Sequence, residues 1–199
     1  MFDFFVKVNN KIRSSIWRIL FQFDFYHFGA KTTVLKPMRI QGAKWISIGS
    51  NVTILDAAWL LALTPKDHVA LQRPLLSIGD GSSIGHFVHI VAIESVFIGA
   101  KVLIADRVYI SDNLHSFDDI ETAIIDQPVK FRGVVQIGDG SWIGENVCII
   151  GARIGRNCVV AANSVVTHDV PDYCVVAGTP ARIIKRYDVA TQAWIIVKN

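Results

Sequence analysis

The stretch "IGDGSSIGHFVHIVAIESVFIGAKVLIADRVYISDNLH", residues 78–115, decides the fold. An aliphatic residue opens each unit: Ile78, Ile84 and Ile90, then Ile98, Ile104 and Ile110. A small residue often follows, as at Gly79, Gly85, Gly99 and Ala105. Most openings are six positions apart. That period matches neither the 3.6 of a helix nor the 2 of a half-buried strand. It matches a short flat strand, a sharp turn and another short flat strand. Three such units, about 18 residues, close one triangular coil, and successive coils stack as parallel strands about 4.8 Å apart. The opening aliphatic then points inward and stacks on its equivalents. The small residue after it fits a crowded corner, and glycine there also permits positive φ. Gly-Asp and Asp-Gly pairs supply turn chemistry.

The same pattern resumes in "IGDGSWIGENVCIIGARIGRNCVVAANSVV", residues 137–166, opening at Ile137, Ile143, Ile149, Ile154, Val160 and Val166. A rougher copy, "IGSNVTILDAAW", begins at Ile48. Two flaws stand out. Val96-Phe97 adds two residues before Ile98, and the step from Ile149 to Ile154 is one short. Corners absorb such changes if the inward stack is kept.

Two segments interrupt the coil. Residues 61–75, "LALTPKDHVALQRPL", read as a loop or lid punctuated by Pro65 and Pro74, with His68 a solvated loop histidine. Residues 116–134, "SFDDIETAIIDQPVKFRGV", begin directly after His115. Loops longer than about 12–15 residues in compact domains are usually functional or disordered. The break in the repeat is therefore a place to look for chemistry.

Residues 1–28 carry an apolar stripe at helical spacing: Phe5, Val8, Ile12, Ile16, Ile19 and Phe23, with Lys7, Lys11, Arg13 and Arg18 beside it. Such a helix covers the open base of the coil, whose strand edge and core need a cap. The alternatives are contact with an anionic membrane surface and a partner surface.

The 199 residues are 51% hydrophobic and 19% charged, which gives a folding chain. A net charge of +3, without clustered basic residues, does not argue for nucleic acid. Cys148, Cys158 and Cys174 match no zinc spacing, and their odd number argues against a disulfide framework. No secretory signal or transmembrane run is evident, and the expected location is cytoplasmic, with peripheral contact at the inner membrane surface as an option.

These hexads resemble those of the hexapeptide-repeat acyltransferases over roughly residues 40–186. The resemblance implies an all-β fold, a left-handed parallel β-helix. Its expected parts are an N-terminal helical cap over 1–30, the coil over 31–178 with loops at 61–75 and 116–134, and a basic C-terminal segment and tail over 179–199. In the sugar O-acetyltransferase branch a catalytic histidine follows a V-x-[IL]-S strand by a few residues. "VYISDNLHS" supplies Val108, Ile110 and Ser111, and the role falls on His115. Many relatives carry a further histidine two residues earlier, where this chain has Asn113. Asp112, Asn113, Ser116 and His89 are the expected contacts to the sugar.

The chemistry supports a histidine there independently. A hydroxyl is a weak nucleophile at neutral pH, and imidazole is the usual base because its pKa lies near operating pH. With both substrates bound together, no serine or cysteine nucleophile is needed. The resemblance further implies acetyl-coenzyme A as cosubstrate, no metal, and a homotrimer with sites between subunits. Donor contacts carry over to Trp142, Gly144, Ala162, Thr167 and His168, with Arg182 and Lys185 of "VVAGTPARIIKRYD" (175–188) near the phosphates. Relatives usually have lysine where His168 stands, so phosphate attraction there would depend on pH. The expected reaction is O-acetylation of a sugar hydroxyl in surface-polysaccharide synthesis. The alternative is N-acetylation of an amino-sugar nucleotide. A zinc lyase on the same coil would need three converging histidines, with His86, His89 and His115 as the set to examine.

Overall fold

The computed structural model describes residues 2–63 and 73–197. Short parallel strands build the three faces of a triangular prism. The first face stacks His27–Phe28, Ile46–Ile48, Leu76–Ile78, Val96–Ile98, Val135–Ile137 and Arg153–Ile154. The second stacks Thr33–Val34, Thr53–Ile54, Ser83–Ile84, Leu103–Ile104, Trp142–Ile143, Val159–Val160 and Cys174–Ala177. The third stacks Arg39–Gln41, Trp59–Ala62, His89–Ala92, Tyr109–Ser111, Cys148–Ile150 and Val165–Val166. The chain visits the faces in that order, one coil per round, as a left-handed parallel β-helix.

Every hexad opener named above is inward and buried. Ile78, Ile98 and Ile137 align on the first face, Ile84, Ile104 and Ile143 on the second, and Ile90, Ile110 and Ile149 on the third. Each fully buried aliphatic contributes about 1.5–3 kcal/mol, so these columns are the main source of stability. Val96 is itself inward, level with Leu76 and Val135. The two extra residues therefore sit in the preceding corner. At the short step, Gly151 turns the corner with φ of 54°.

The glycines that follow the openers are crowded as expected, but they do not take the positive φ. A Cβ on Gly79 would lie 2.5 Å from the Gly99 carbonyl carbon, so the residue is small because the next coil is close. Positive φ falls two positions later, at Gly81 with 69°, and its column also holds Asn51, Lys101 and Asn157. Crowding and backbone handedness are thus assigned to different residues.

The helix Phe2–Phe21 lies against the first coil. Trp17 packs on the core, with ring centroids 5.4 Å from Phe21 and 5.8 Å from both Phe25 and Phe28. The expected covering stripe is not the covering face: Val8, Ile12, Ile16 and Ile19 are exposed. The coil also starts before residue 31, because His27–Phe28 pairs in parallel with Ser47 and Ile48. His27, inside the expected 1–30 cap, therefore belongs to the first coil. At the other end, Arg182–Asp188 and Ala193–Ile196 extend the second face as antiparallel strands. Most of the 61–75 loop, including His68, lies outside the described residues.

Candidate active site

The site grows from the end of Tyr109–Ser111, which pairs with His89–Val91 on one side and Cys148–Ile150 on the other. After Ser111 the chain leaves the coil. Ser111 Oγ donates to the Asn113 carbonyl at 2.8 Å and accepts from the Asn113 N–H at 3.1 Å. Asp112 is fully buried. Its carboxylate accepts the backbone N–H groups of Ile93 at 3.0 Å, Glu94 at 2.8 Å and Ser95 at 2.7 Å, and Asn113 Nδ2 at 2.8 Å. The Asp112 carbonyl accepts from Arg132 N–H at 2.7 Å, where the insertion returns. One residue thus fastens both ends of the insertion to the coil beneath.

Beyond this root, Asn113–His115 runs antiparallel to Val129–Phe131, and Ser116 N–H donates to the Pro128 carbonyl at 2.9 Å. The 116–134 insertion is therefore an ordered hairpin. Its tip is held by Gln127 Nε2, which donates to the carbonyls of Asp119 and Thr122. His115 is exposed on this hairpin and lines a pocket of about 230 Å³ with Ser116, Phe117, Lys130 and Arg132. Lys130 pairs with Asp118. Among the described residues, ring-nitrogen hydrogen bonds form at His86 and His168 and not at His115. The imidazole of His115 is thus uncommitted among the described residues. Ser116 Oγ is buried and has no hydrogen-bond partner among the described residues.

Asp112 and Asn113 were expected to bind sugar hydroxyls. Both side chains turn inward instead: the Asp112 oxygens are consumed by backbone donors, and Asn113 is buried with its amide on Asp112. Their role is to hold the hairpin. His89 lies on the outer surface of the third face, stacked on Trp59 at 4.3 Å and edge-on to Tyr109 at 5.3 Å. Burial lowers its pKa below the usual imidazole value. His86 contacts Asp106 at 3.1 Å, and the Asp106 carboxyl is held below its usual pKa chiefly by the backbone N–H of His86. Among the described residues no three His, Cys, Asp or Glu side chains gather as a metal site. Cys148, level with Tyr109, has its thiol pKa raised by desolvation, which opposes a thiolate nucleophile there.

The donor candidates divide. Trp142 is 50% exposed on the second face, so the 116–134 hairpin does not cover it. Its column continues through Val159 and Val175 to Lys185, with Arg182 opposite Ala177. Gly144 and Ala162 occupy the corner between the second and third faces, where a Cβ on Gly144 would meet Ala162 N at 2.7 Å. Thr167 and His168, hydrogen-bonded at 3.0 Å, follow Val165–Val166 at the corner between the third and first faces. That is the corner from which the His115 hairpin departs, two coils away. One chain therefore brings His115, Ser116, Thr167 and His168 to one edge and sets Trp142, Gly144, Ala162 and Lys185 apart from them. Lys130 and Arg132 were not foreseen as site residues. Alternation in Val129-Lys130-Phe131-Arg132 after Pro128 was the available signal, since it reads as a hairpin return strand.

A family model described as the hexapeptide repeat of succinyl-transferase matches residues 134–168. WbbJ of Escherichia coli strain K12, a proposed lipopolysaccharide biosynthesis O-acetyl transferase, is 41% identical over 132 residues, covering 63% of this chain and 67% of WbbJ. The chain belongs to the hexapeptide-repeat acetyltransferases. Two solved structures share this hexapeptide-repeat fold. The acetyltransferase VCA0836 from Vibrio cholerae has a TM-score of 0.60 at 27% identity, covering 92% of this chain and 86% of that one. AntD, an N-acyltransferase from Bacillus cereus in complex with dTDP and 3-hydroxybutyryl-CoA, has a TM-score of 0.70 at 22% identity, covering 88% and 90%. As a hexapeptide-repeat acetyltransferase, the chain is an enzyme.

Proposed function

We propose that this acetyltransferase moves an acetyl group from acetyl-coenzyme A to a sugar hydroxyl, in the synthesis of a surface polysaccharide. The observation that carries the reading is His115, an uncommitted imidazole held at the rim of the coil by a rigid buried root. His115 takes the acceptor proton as the hydroxyl oxygen attacks the acetyl carbonyl carbon. As the carbon–sulfur bond breaks, the imidazolium returns that proton to the departing thiolate. Such help is typically worth about 10²–10⁴-fold. Ser116 Oγ, beside the base, is buried and unpartnered among the described residues, so it reaches the acceptor only if the hairpin shifts when the acceptor binds.

The donor residues fit the group they are assigned. Trp142 offers an exposed ring, Ala162 an open corner, and Arg182 and Lys185 exposed cations for phosphates. Because they lie away from His115 in one chain, the complete site forms between subunits of a homotrimer. The exposed Phe117, Ile120 and Ile125 of the hairpin suit that contact. The relation to WbbJ supports an O-linked product in lipopolysaccharide synthesis. The shared fold with AntD favours a second reading, N-acylation of an amino-sugar nucleotide, in which His115 serves the same purpose. Three unpaired cysteines fit a reducing compartment, and the proposed location is the cytoplasm.

Turnover of acetyl-coenzyme A against sugar alcohols and amino sugars tests both readings. The His115→Ala variant is expected to lose at least ~10²-fold on the best acceptor with unchanged thermal stability. Full activity in that variant would remove the base.

A further inference from the structure

The helix Phe2–Phe21 has two opposed sides. At about 100° per residue, Ser14, Trp17 and Phe21 share one side, and it rests on the coil. Ser14 is buried there and Trp17 packs on the core. The opposite side carries Val8, Ile12, Ile16 and Ile19, which are 38%, 54%, 53% and 69% exposed. Leu20 and Phe23 continue the exposed apolar surface. The fold thus leaves outside the face that an amphipathic helix normally buries.

Charge says what covers it. From residue 4 to residue 23 the sequence has no acidic residue, yet it contains Lys7, Lys11, Arg13 and Arg18. Lys11 and Arg18 flank the stripe on one side. With Lys31 of the first coil they line a pocket of about 270 Å³ between helix and prism. Among the described residues no carboxylate pairs with Lys11, Arg18 or Lys31. Arg18 uses its Nε on Gln22 Oε1 at 3.2 Å. A second copy meeting this face would set like charges together, whereas a phosphate-bearing surface would satisfy them. Among the described residues no helix is long and apolar enough to cross a membrane.

We propose that this helix docks the enzyme on an anionic phospholipid surface, its stripe in the acyl boundary and a lipid phosphate between Lys11, Arg18 and Lys31. The helix lies in the interface plane, which is the usual arrangement for an apolar face with basic flanks. The coil then stands on the membrane by its first turn. The inference is independent of which sugar atom is acetylated, because its test reads binding.

The full-length protein is floated with vesicles of phosphatidylcholine alone and of phosphatidylcholine with phosphatidylglycerol. The expected result is partitioning to the anionic vesicles at least ~10-fold above the neutral ones, reduced by raised salt. Ile16→Asp with Ile19→Asp abolishes binding to both. Lys11→Glu with Lys31→Glu removes the anionic preference. Both double variants keep the oligomeric mass and the acetyl-coenzyme A turnover of the parent on a water-soluble acceptor. Equal binding to both vesicles, no binding to either, or a changed oligomeric mass in the Ile16/Ile19 variant overturns the proposal. The last result would make the stripe a contact between copies.

Discussion

Replacing Asp112 by alanine attacks the root of the hairpin without touching His115. The carboxylate is fully buried and accepts four hydrogen bonds, three from the backbone of 93–95 and one from Asn113. A hydrogen bond to a charged group is worth about 1.5–3 kcal/mol, and an abandoned buried donor costs about 1–3 kcal/mol. Ile93 is buried, so its N–H stays unsatisfied. Glu94 and Ser95 are half-buried, and water recovers part of their loss. The expected destabilisation is therefore about 3–5 kcal/mol, short of the simple sum. Urea unfolding of wild type and Asp112→Ala measures it. With the root loosened, kcat should fall about 10-fold or more while KM for acetyl-coenzyme A stays put, because the donor residues lie on other coils. Asp112→Asn should be intermediate, since its amide turns a donor toward backbone donors. A loss under about 1 kcal/mol with unchanged kcat would refute the view that Asp112 positions the base.

Other outcomes follow from the same geometry. Burial lowers the His89 pKa, so the folded state binds fewer protons than the unfolded one below about pH 6.5. Stability should be full above that range and decline as pH falls through it, and His89→Gln should flatten the decline in thermal melts. Gly79→Ala should cost at least about 2 kcal/mol, because its Cβ meets the backbone of the next coil. Gly81→Asn should cost under about 1 kcal/mol, since nothing lies nearer than 3.6 Å and asparagine tolerates positive φ; denaturation curves compare the two. Ala162→Trp should raise KM for acetyl-coenzyme A about 10-fold or more in steady-state kinetics while leaving the melting temperature unchanged, as the exposed corner has room for the ring but the donor does not.

The coil was legible because its stabilising unit is repeated: the same aliphatic column reads out at Ile78, Ile98 and Ile137 as it does in space. The position of His115 was legible for a related reason, since the repeat stops where the hairpin begins. The roles of its neighbours were not. Asp112 and Asn113 look like exposed turn residues in sequence, and only the level of the 93–95 corner beneath them explains why they are buried. The direction of the N-terminal stripe was hidden too. Spacing identifies an apolar face but not which way it points, and Trp17, outside the stripe, makes the contact with the core. The start of the coil was placed late because Phe28, Val34 and Ile40 keep the six-residue step with an aromatic opener at Phe28 and a glycine after only one of the three, Gly29.

The central claim is that His115 of one chain serves the donor groove of another. Co-expression of His115→Ala and Ala162→Trp chains, with purification of the mixed oligomers, tests it most directly. With acetyl-coenzyme A held well below KM, His115→Ala alone is expected to be nearly inactive and Ala162→Trp alone to keep about a tenth of parental activity or less. In mixed trimers about a third of the sites should be intact, since one of the three interfaces combines His115 from one kind of chain with the open corner of the other. Recovery of activity on that scale is the predicted result. Mixed oligomers as inactive as either parent would place base and donor within a single chain and contradict the account.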